Sequence, residues 1–276
     1  MIYYLQDKDK LRSFIVYFLL LLLPINSYGD AIVFGANESP PFWSQTMFEQ
    51  GLCGEILQAM SEQAGLQSTI VFKPLKRLIE DTHNNDLGNP DFYLSQQDFA
   101  SIIPIVSYQA TFVYYLPHHS EKIVLRSLDD LKQYKIGILK GSLIDRLSFE
   151  KLGIQFETSY SQESIIRKLK LGRIDLALEI NLVAYQMIDK LYPHLEDQFI
   201  FINIPGSISA IALMLNEELE NANSIGDQYK QALSAIIGDG RYQKIIDKHY
   251  GRKNINQNWQ IELQRFERIY NYEDAE

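Results

Sequence analysis

Apolar residues recur along the chain in two rhythms, short unbroken runs and runs spaced three and four apart, and their alternation predicts strands and helices in turn. Residues 31–36 form a short apolar run of the kind buried in a parallel sheet. Residues 38–43 follow as a loop that Pro40 and Pro41 keep out of helix. Leu52, Cys53, Ile56, Leu57, Met60 and Ala64 share one helical face, and Gly65 with Leu66 supplies a left-handed stop and its hydrophobic contact. Residues 69–72 read as the next strand, 75–83 as a helix, 84–90 as a turn and 92–94 as a third strand.

The same logic restarts near residue 127. Ser127 with Asp130 has capping-box spacing, residues 136–139 form a strand running into Gly141-Ser142, and 143–152 are helical up to Gly153. Residues 156–159 are a strand, Ser161 caps a helix carrying Ile165, Ile166 and Leu169, Gly172 ends it, and 175–180 is another buried strand. Two β-α-β units in tandem predict two α/β lobes. An extended aromatic segment at 111–116 leaves the first unit and a strand at 208–215 follows the second, so the chain is expected to cross between lobes twice. Helices at 216–239 and 241–250 have no strands of their own and are expected to return to the first lobe; a last helix is predicted at 259–272.

The N-terminus differs in kind. Lys8, Lys10 and Arg12 precede twelve apolar residues at 14–25, and Ser27-Tyr28-Gly29 offers small residues before a cut at Asp30. Such a run spans about 18 Å as a helix, short of the roughly 30 Å hydrocarbon core, so 1–29 is expected to be a cleaved secretory signal. The 276 residues are 46% hydrophobic and 22% charged, which predicts a folded chain. A formal charge of −9, with no run of basic residues longer than two, argues against nucleic acid as a partner. Cys53 is the only cysteine, so there is no intramolecular disulfide and no multi-cysteine metal site; on the apolar side of its helix it is expected to be an inert thiol. His118-His119 has poor geometry for one metal and reads as a solvated turn. No catalytic motif or cofactor-binding loop is visible, and none is expected.

Four stretches carry a resemblance. Ser39-Pro40-Pro41-Phe42 resembles a ligand loop after a first strand, and Gly51-Leu52-Cys53-Gly54-Glu55-Ile56 a Gly-x-x-x-Asp/Glu helix start. Leu171-Gly172-Arg173-Ile174-Asp175-Leu176-Ala177 resembles a Gly-Arg-hydrophobic-Asp-Ala strand entry, and Gly238 to Gly251 a closing helix. In this order, over roughly residues 31–251, they are similar to the periplasmic solute-binding proteins of family 3. The resemblance implies an α/β, two-lobed type II periplasmic-binding-protein fold with a double-strand hinge. Its first lobe would comprise 30–112 with 206–276, and its second 113–205. It implies a periplasmic monomer that hands a small polar solute to the membrane permease of an ABC transporter. A sensory input protein for a membrane signalling partner, or a periplasmic dehydratase or lyase on the same fold, are the alternatives.

The cleft candidates follow from strand ends, since parallel sheets place ligands beyond the carboxyl ends of their strands. Phe42 and Trp43 stand after two rigid prolines and offer aromatic faces, unless one packs into its lobe. Glu38 either pairs with an amine or is solvated. Gly141 and Ser142 open a helix whose N–H groups suit an anion, or Ser142 is only a cap. Glu179 and Asn181 end the strand at 175–180, where the family usually carries an acidic residue for the ligand's amine; neither aligns without a one-residue shift, and Glu179 is either that acid or an exposed strand end. The family's amino-acid binders carry Thr-x-x-Arg after the third strand, where the Arg clamps the carboxylate. Here the stretch is Ser95-Gln96-Gln97-Asp98, and Asp98 would repel that group. A cationic or uncharged polar solute is expected, and not a standard α-amino acid in the usual pose.

Overall fold

The structure, a computed structural model, describes residues 31–81, 84–90, 99–140, 151, 153–250 and 259–272. The signal expected at 1–29, the third strand expected at 92–94, Ser95, Asp98, Gly141 and Ser142 lie outside the described residues. The strands are β1 (Ile32–Ala36), β2 (Ser68–Phe72), β3 (Asn85–Gly88), β4 (Phe99–Tyr115), β5 (Ile136–Leu139), β6 (Phe156–Ser159), β7 (Leu176–Ile180) and β8 (Phe199–Asn216). The helices are α1 (Leu52–Ala64), α2 (Leu75–Glu80), α3 (Gln162–Lys170), α4 (Asn181–Leu191), α5 (Ala222–Gly238), α6 (Arg241–Tyr250) and α7 (Trp259–Tyr272).

Local chemistry accounts for most of the ends. α1 stops where Gly65 turns left-handed (φ 67°) and Leu66 N–H returns to Ser61 O at 2.9 Å. α3 starts where the Ser161 hydroxyl accepts from Ser164 N–H, and the capping box at Ser127 and Asp130 opens a short 3-10 turn. Gly54 is required by space, because a Cβ there would lie 2.1 Å from the carbonyl oxygen of Glu49.

The strand order is β2-β1-β3-β8-β4-β7-β5-β6, and its logic lies in the two long strands. β3 pairs with the C-terminal half of β8 (Asp86 to Met214), and β7 with the C-terminal half of β4 (Ala110 to Ile180). The sheet is therefore two five-stranded groups, β2-β1-β3-β8-β4 and β6-β5-β7-β4-β8, which read alike with the long strands exchanged. The chain passes from one group to the other along β4 and back along β8. One large apolar cluster joins β1, α1, α5 and α6 around the first group, so the late helices return to it as expected. The second group has a cluster on each face, one under α3 and α4 and one around Phe112, Tyr114 and Leu176. α7 lies against β4 through Leu263 and Phe266.

The structure differs from expectation at several elements: β4 begins at Phe99 and β8 at Phe199, well before the segments expected from 111 and 208, and α5 begins at Ala222, after the expected 216. Residues 85–88 form buried strand β3, not a turn; Asn85 Nδ2 donates to Val33 O at 3.2 Å and its Oδ1 accepts from Asn216 N–H at 2.8 Å, so a polar residue is satisfied inside the sheet. α2 ends at Glu80, earlier than expected. α4 follows β7 with no intervening loop, where no helix was expected.

Candidate functional site

The site is built where the two groups meet. Along β4 and β8 the register slips by one residue between Phe99 and Ser101 and again between Pro104 and Val106, reaches Gln109 opposite Ile208, then resumes at Thr111 opposite Asn203, so residues 204–207 of β8 face Ala110 alone. This bulge contains Pro205, which has no N–H to give, and Gly206 at φ 76°. Side chains stitch it. Ser207 Oγ donates to Ile204 O (2.7 Å) and Ala110 O (3.2 Å), and Gln109 Nε2 donates to Ile204 O at 3.0 Å. Asn181 Oδ1 accepts Leu182 N–H at 2.8 Å and, more weakly, Gln109 N–H at 3.5 Å, which ties the start of α4 to the crossing.

The loop after β1 reaches this junction from the first group. Leu52 N–H donates to Pro41 O and Cys53 N–H to Phe42 O, at 3.0 and 2.7 Å, so the loop's own carbonyls satisfy two orphan donors of α1. Glu38 is exposed, and its carboxylate closes the loop by accepting from the Ser44 hydroxyl and from Gln45 N–H. Phe42 and Trp43 are only 2% and 5% exposed and belong to the large cluster; both rings pack, where at most one of the pair was expected to. Phe42 leans on Tyr108 of β4 at a centroid distance of 5.9 Å, and Trp43 Nε1 is buried with no acceptor.

Glu179 comes from the second group, one residue before the end of β7. It is 5% exposed, stands across from Thr111, and its Oε1 has no hydrogen-bond partner. Burial pushes its carboxyl up to about 8, with only the Ile180 N–H opposing. The group is thus largely protonated at neutral pH. Phe42, Trp43 and Glu179 all stand at elements that meet the crossing, while Glu38 is spent within its loop. Gln109, Tyr108, Asn181 and Ser207 complete the junction; of these, only Asn181 stood out in the sequence, as a polar strand end. Gln109 carries a weaker signal, one amide inside an otherwise apolar and aromatic run.

Among the described residues no group of three His, Cys, Asp or Glu side chains is placed to hold a metal, and no helix is long and apolar enough to cross a membrane. Cys53 is fully buried, and burial raises its thiol well above the ordinary range.

No protein-family profile matches the chain, and no curated protein matches it. Solved structures do. An ancestral cationic amino acid solute-binding protein superposes with a TM-score of 0.62 at 16% identity, over 80% of this chain and 95% of the other. The arginine-, lysine-, histidine-binding protein ArtJ from Geobacillus stearothermophilus gives 0.57 at 19%, over 85% and 99%. A histidine kinase sensor domain similar to periplasmic binding proteins gives 0.59 at 14%, over 81% and 97%. Together with the two exchanged five-stranded groups, this likeness defines the class: the chain has the two-lobed type II periplasmic-binding-protein fold.

Proposed function

We propose that this chain is an exported, monomeric solute-binding protein that encloses a small polar solute between two lobes and delivers it to the permease of an ABC-type uptake system. The observation that carries this reading is the β4–β8 crossing. Both connections pass through it side by side, and the largest of their register breaks, four residues of β8 opposite Ala110, lies there; paired connections of that kind are what a hinge needs. The lobes we propose are residues 30–112 with 206–276, and residues 113–205. Gln109 to Thr111 and 203–208 would be the moving parts.

The proposed solute is cationic or uncharged and polar. Two readings support this: by the sequence resemblance Asp98 falls where the family's amino-acid binders carry a carboxylate clamp, and Glu179 Oε1 has no hydrogen-bond partner. The proposed contacts are Glu179 with Gly141 and Ser142 from the second lobe, and Ser95, Asp98, Glu38 and the edges of Phe42 and Trp43 from the first. The likeness to a sensor domain favours one second reading, in which the same capture reports to a membrane signalling partner.

A thermal-shift panel of the mature protein against amino acids, amines, sugars, carboxylates and peptides tests the proposal. A ligand that binds only the folded state raises the melting temperature, by an amount that grows with its concentration. At least one small solute is expected to do so; no shift with any at millimolar concentration refutes solute capture.

A further inference from the structure

α5 meets the sheet closely near its start and leaves room further along. A Cβ on Gly226 would lie 2.5 Å from Ser101 Oγ of β4, so helix and strand touch there. About two turns on, α7 flanks the same strand. α7 lies beyond residue 251, where the family resemblance ends. Leu263 and Phe266 fix it from buried positions, and Tyr270 packs with Ile102, Ala212 and Met214.

Between α5, α7 and β4 there is a cavity of about 150 Å³. Its floor is apolar and buried, formed by Ile103 and Pro104 of β4, Leu233 of α5 and Leu263 of α7. Pro104 brings no N–H to that floor. Ile237 stands half-buried beside it, and Ser234 and Gln264 are exposed at the rim. Protein interiors pack nearly as densely as organic crystals, so a gap of this size is filled by something. A water settles where about two to four polar groups serve it, and the floor offers none, whereas a dry cavity of roughly this volume takes up a benzene ring.

The rim sets the polar end of the occupant. Two ionisable side chains line it, Lys230 from α5 and Glu267 from α7, both half-buried. Glu267 has a partner already. Among the described residues Lys230 has neither an ion pair nor a hydrogen bond. Asp227, one turn earlier on α5, is exposed and does not pair with it, Glu262 and Arg265 of α7 pair with each other, and Arg268 is exposed. The charge left to serve a ligand is therefore positive.

We propose that this cavity binds a small organic monoacid. Its apolar body, about the size of one six-membered ring, lies on the floor, and its carboxylate accepts from the Lys230 ammonium, with Ser234 and Gln264 as further donors at the rim. A second carboxylate on the α7 side would face Glu267, so diacids are disfavoured. The site is separate from the proposed cleft and does not rest on solute capture.

Methyl NMR of the mature protein, titrated at pH 7 with benzoate, hexanoate, benzyl alcohol and terephthalate, tests it. Benzoate or hexanoate is expected to shift the Leu233, Ile237 and Leu263 methyl signals with a Kd below about 1 mM, modest because so few atoms make contact. Lys230→Gln should weaken that acid about fivefold or more, since it removes the charge-assisted bond. Gln264→Trp, which fills the mouth from an exposed position, should abolish binding, and wild-type-like methyl spectra of the free variants show that both are folded. Benzyl alcohol and terephthalate should each bind about fivefold or more weakly than the acid. Three results overturn the inference: no shift of these methyls with either acid at millimolar concentration, acid binding that both variants leave intact, or an alcohol or diacid that binds as tightly as the monoacid.

Discussion

Replacing Glu179 by glutamine keeps the side chain's shape and removes its ionisation. With the folded carboxyl near 8 and an ordinary value of 4.5, the native state holds a proton that the unfolded chain has lost between those limits. The unfolded state then binds fewer protons, so wild-type stability falls as pH rises from about 4.5 to about 8 and levels off above. At about 1.4 kcal/mol per pH unit, the full cost approaches roughly 5 kcal/mol, an upper bound because water entering the site relieves part of it. Glutamine carries no such cost. Urea unfolding of both proteins at pH 5, 6, 7 and 8 should therefore show the variant gaining on the wild type at each step, with nearly equal stabilities at pH 5. A stability difference that stays constant from pH 5 to 8 would mean that Glu179 ionises freely, and the reasoning about its burial would be wrong.

Phe42→Ala should destabilise the fold by about 3–5 kcal/mol, as expected for an aromatic ring removed from a packed core, read by urea denaturation; a loss under about 1 kcal/mol would put the ring outside the core. Gly206→Ala tests the bulge: a Cβ there meets nothing within 4 Å, so the cost of about 1 kcal/mol should come from the positive φ alone, and an unchanged midpoint would argue against that conformation. Glu55 accepts Lys248 (2.9 Å) and His249 (2.8 Å), which hold its carboxyl below the usual value against its partial burial. Its stabilising contribution is present at neutral pH and lost as pH falls through that lowered value, so Glu55→Gln should flatten the acid limb of the stability profile; an unaltered limb contradicts this. Cys53 should resist a thiol reagent in native buffer and react at once in denaturant.

Elements with their own end chemistry were legible in the sequence. The α1 stripe with Gly65, the Ser127–Asp130 box, the Ser161 cap and the returning helices α5 and α6 all formed as expected, because caps and periodicity are local facts. β3 escaped because Asn85, Asp86 and Gly88 are turn formers in isolation; only the neighbouring strands β1 and β8, distant in sequence, turn that stretch into a strand. α4 escaped because it begins at Asn181, directly after β7 and without a side-chain cap at Ile180, leaving no loop to announce a new element. At the site, position at strand ends and the family resemblance picked out Phe42, Trp43 and Glu179 but could not give their directions. A lone acid near a strand end reads as solvated, and its burial depends on what α3 and α4 lay over it.

Distance measurement between spin labels tests hinged capture most directly. Lys76, shortly after β2, and Tyr160, just after β6, are exposed and follow the carboxyl ends of the two edge strands, one in each of the two proposed lobes and on the side of the proposed cleft. With a solute that raises the melting temperature, the label pair should move from a broad, longer distribution to a narrower, shorter one. An identical distribution with and without a bound solute would contradict the account.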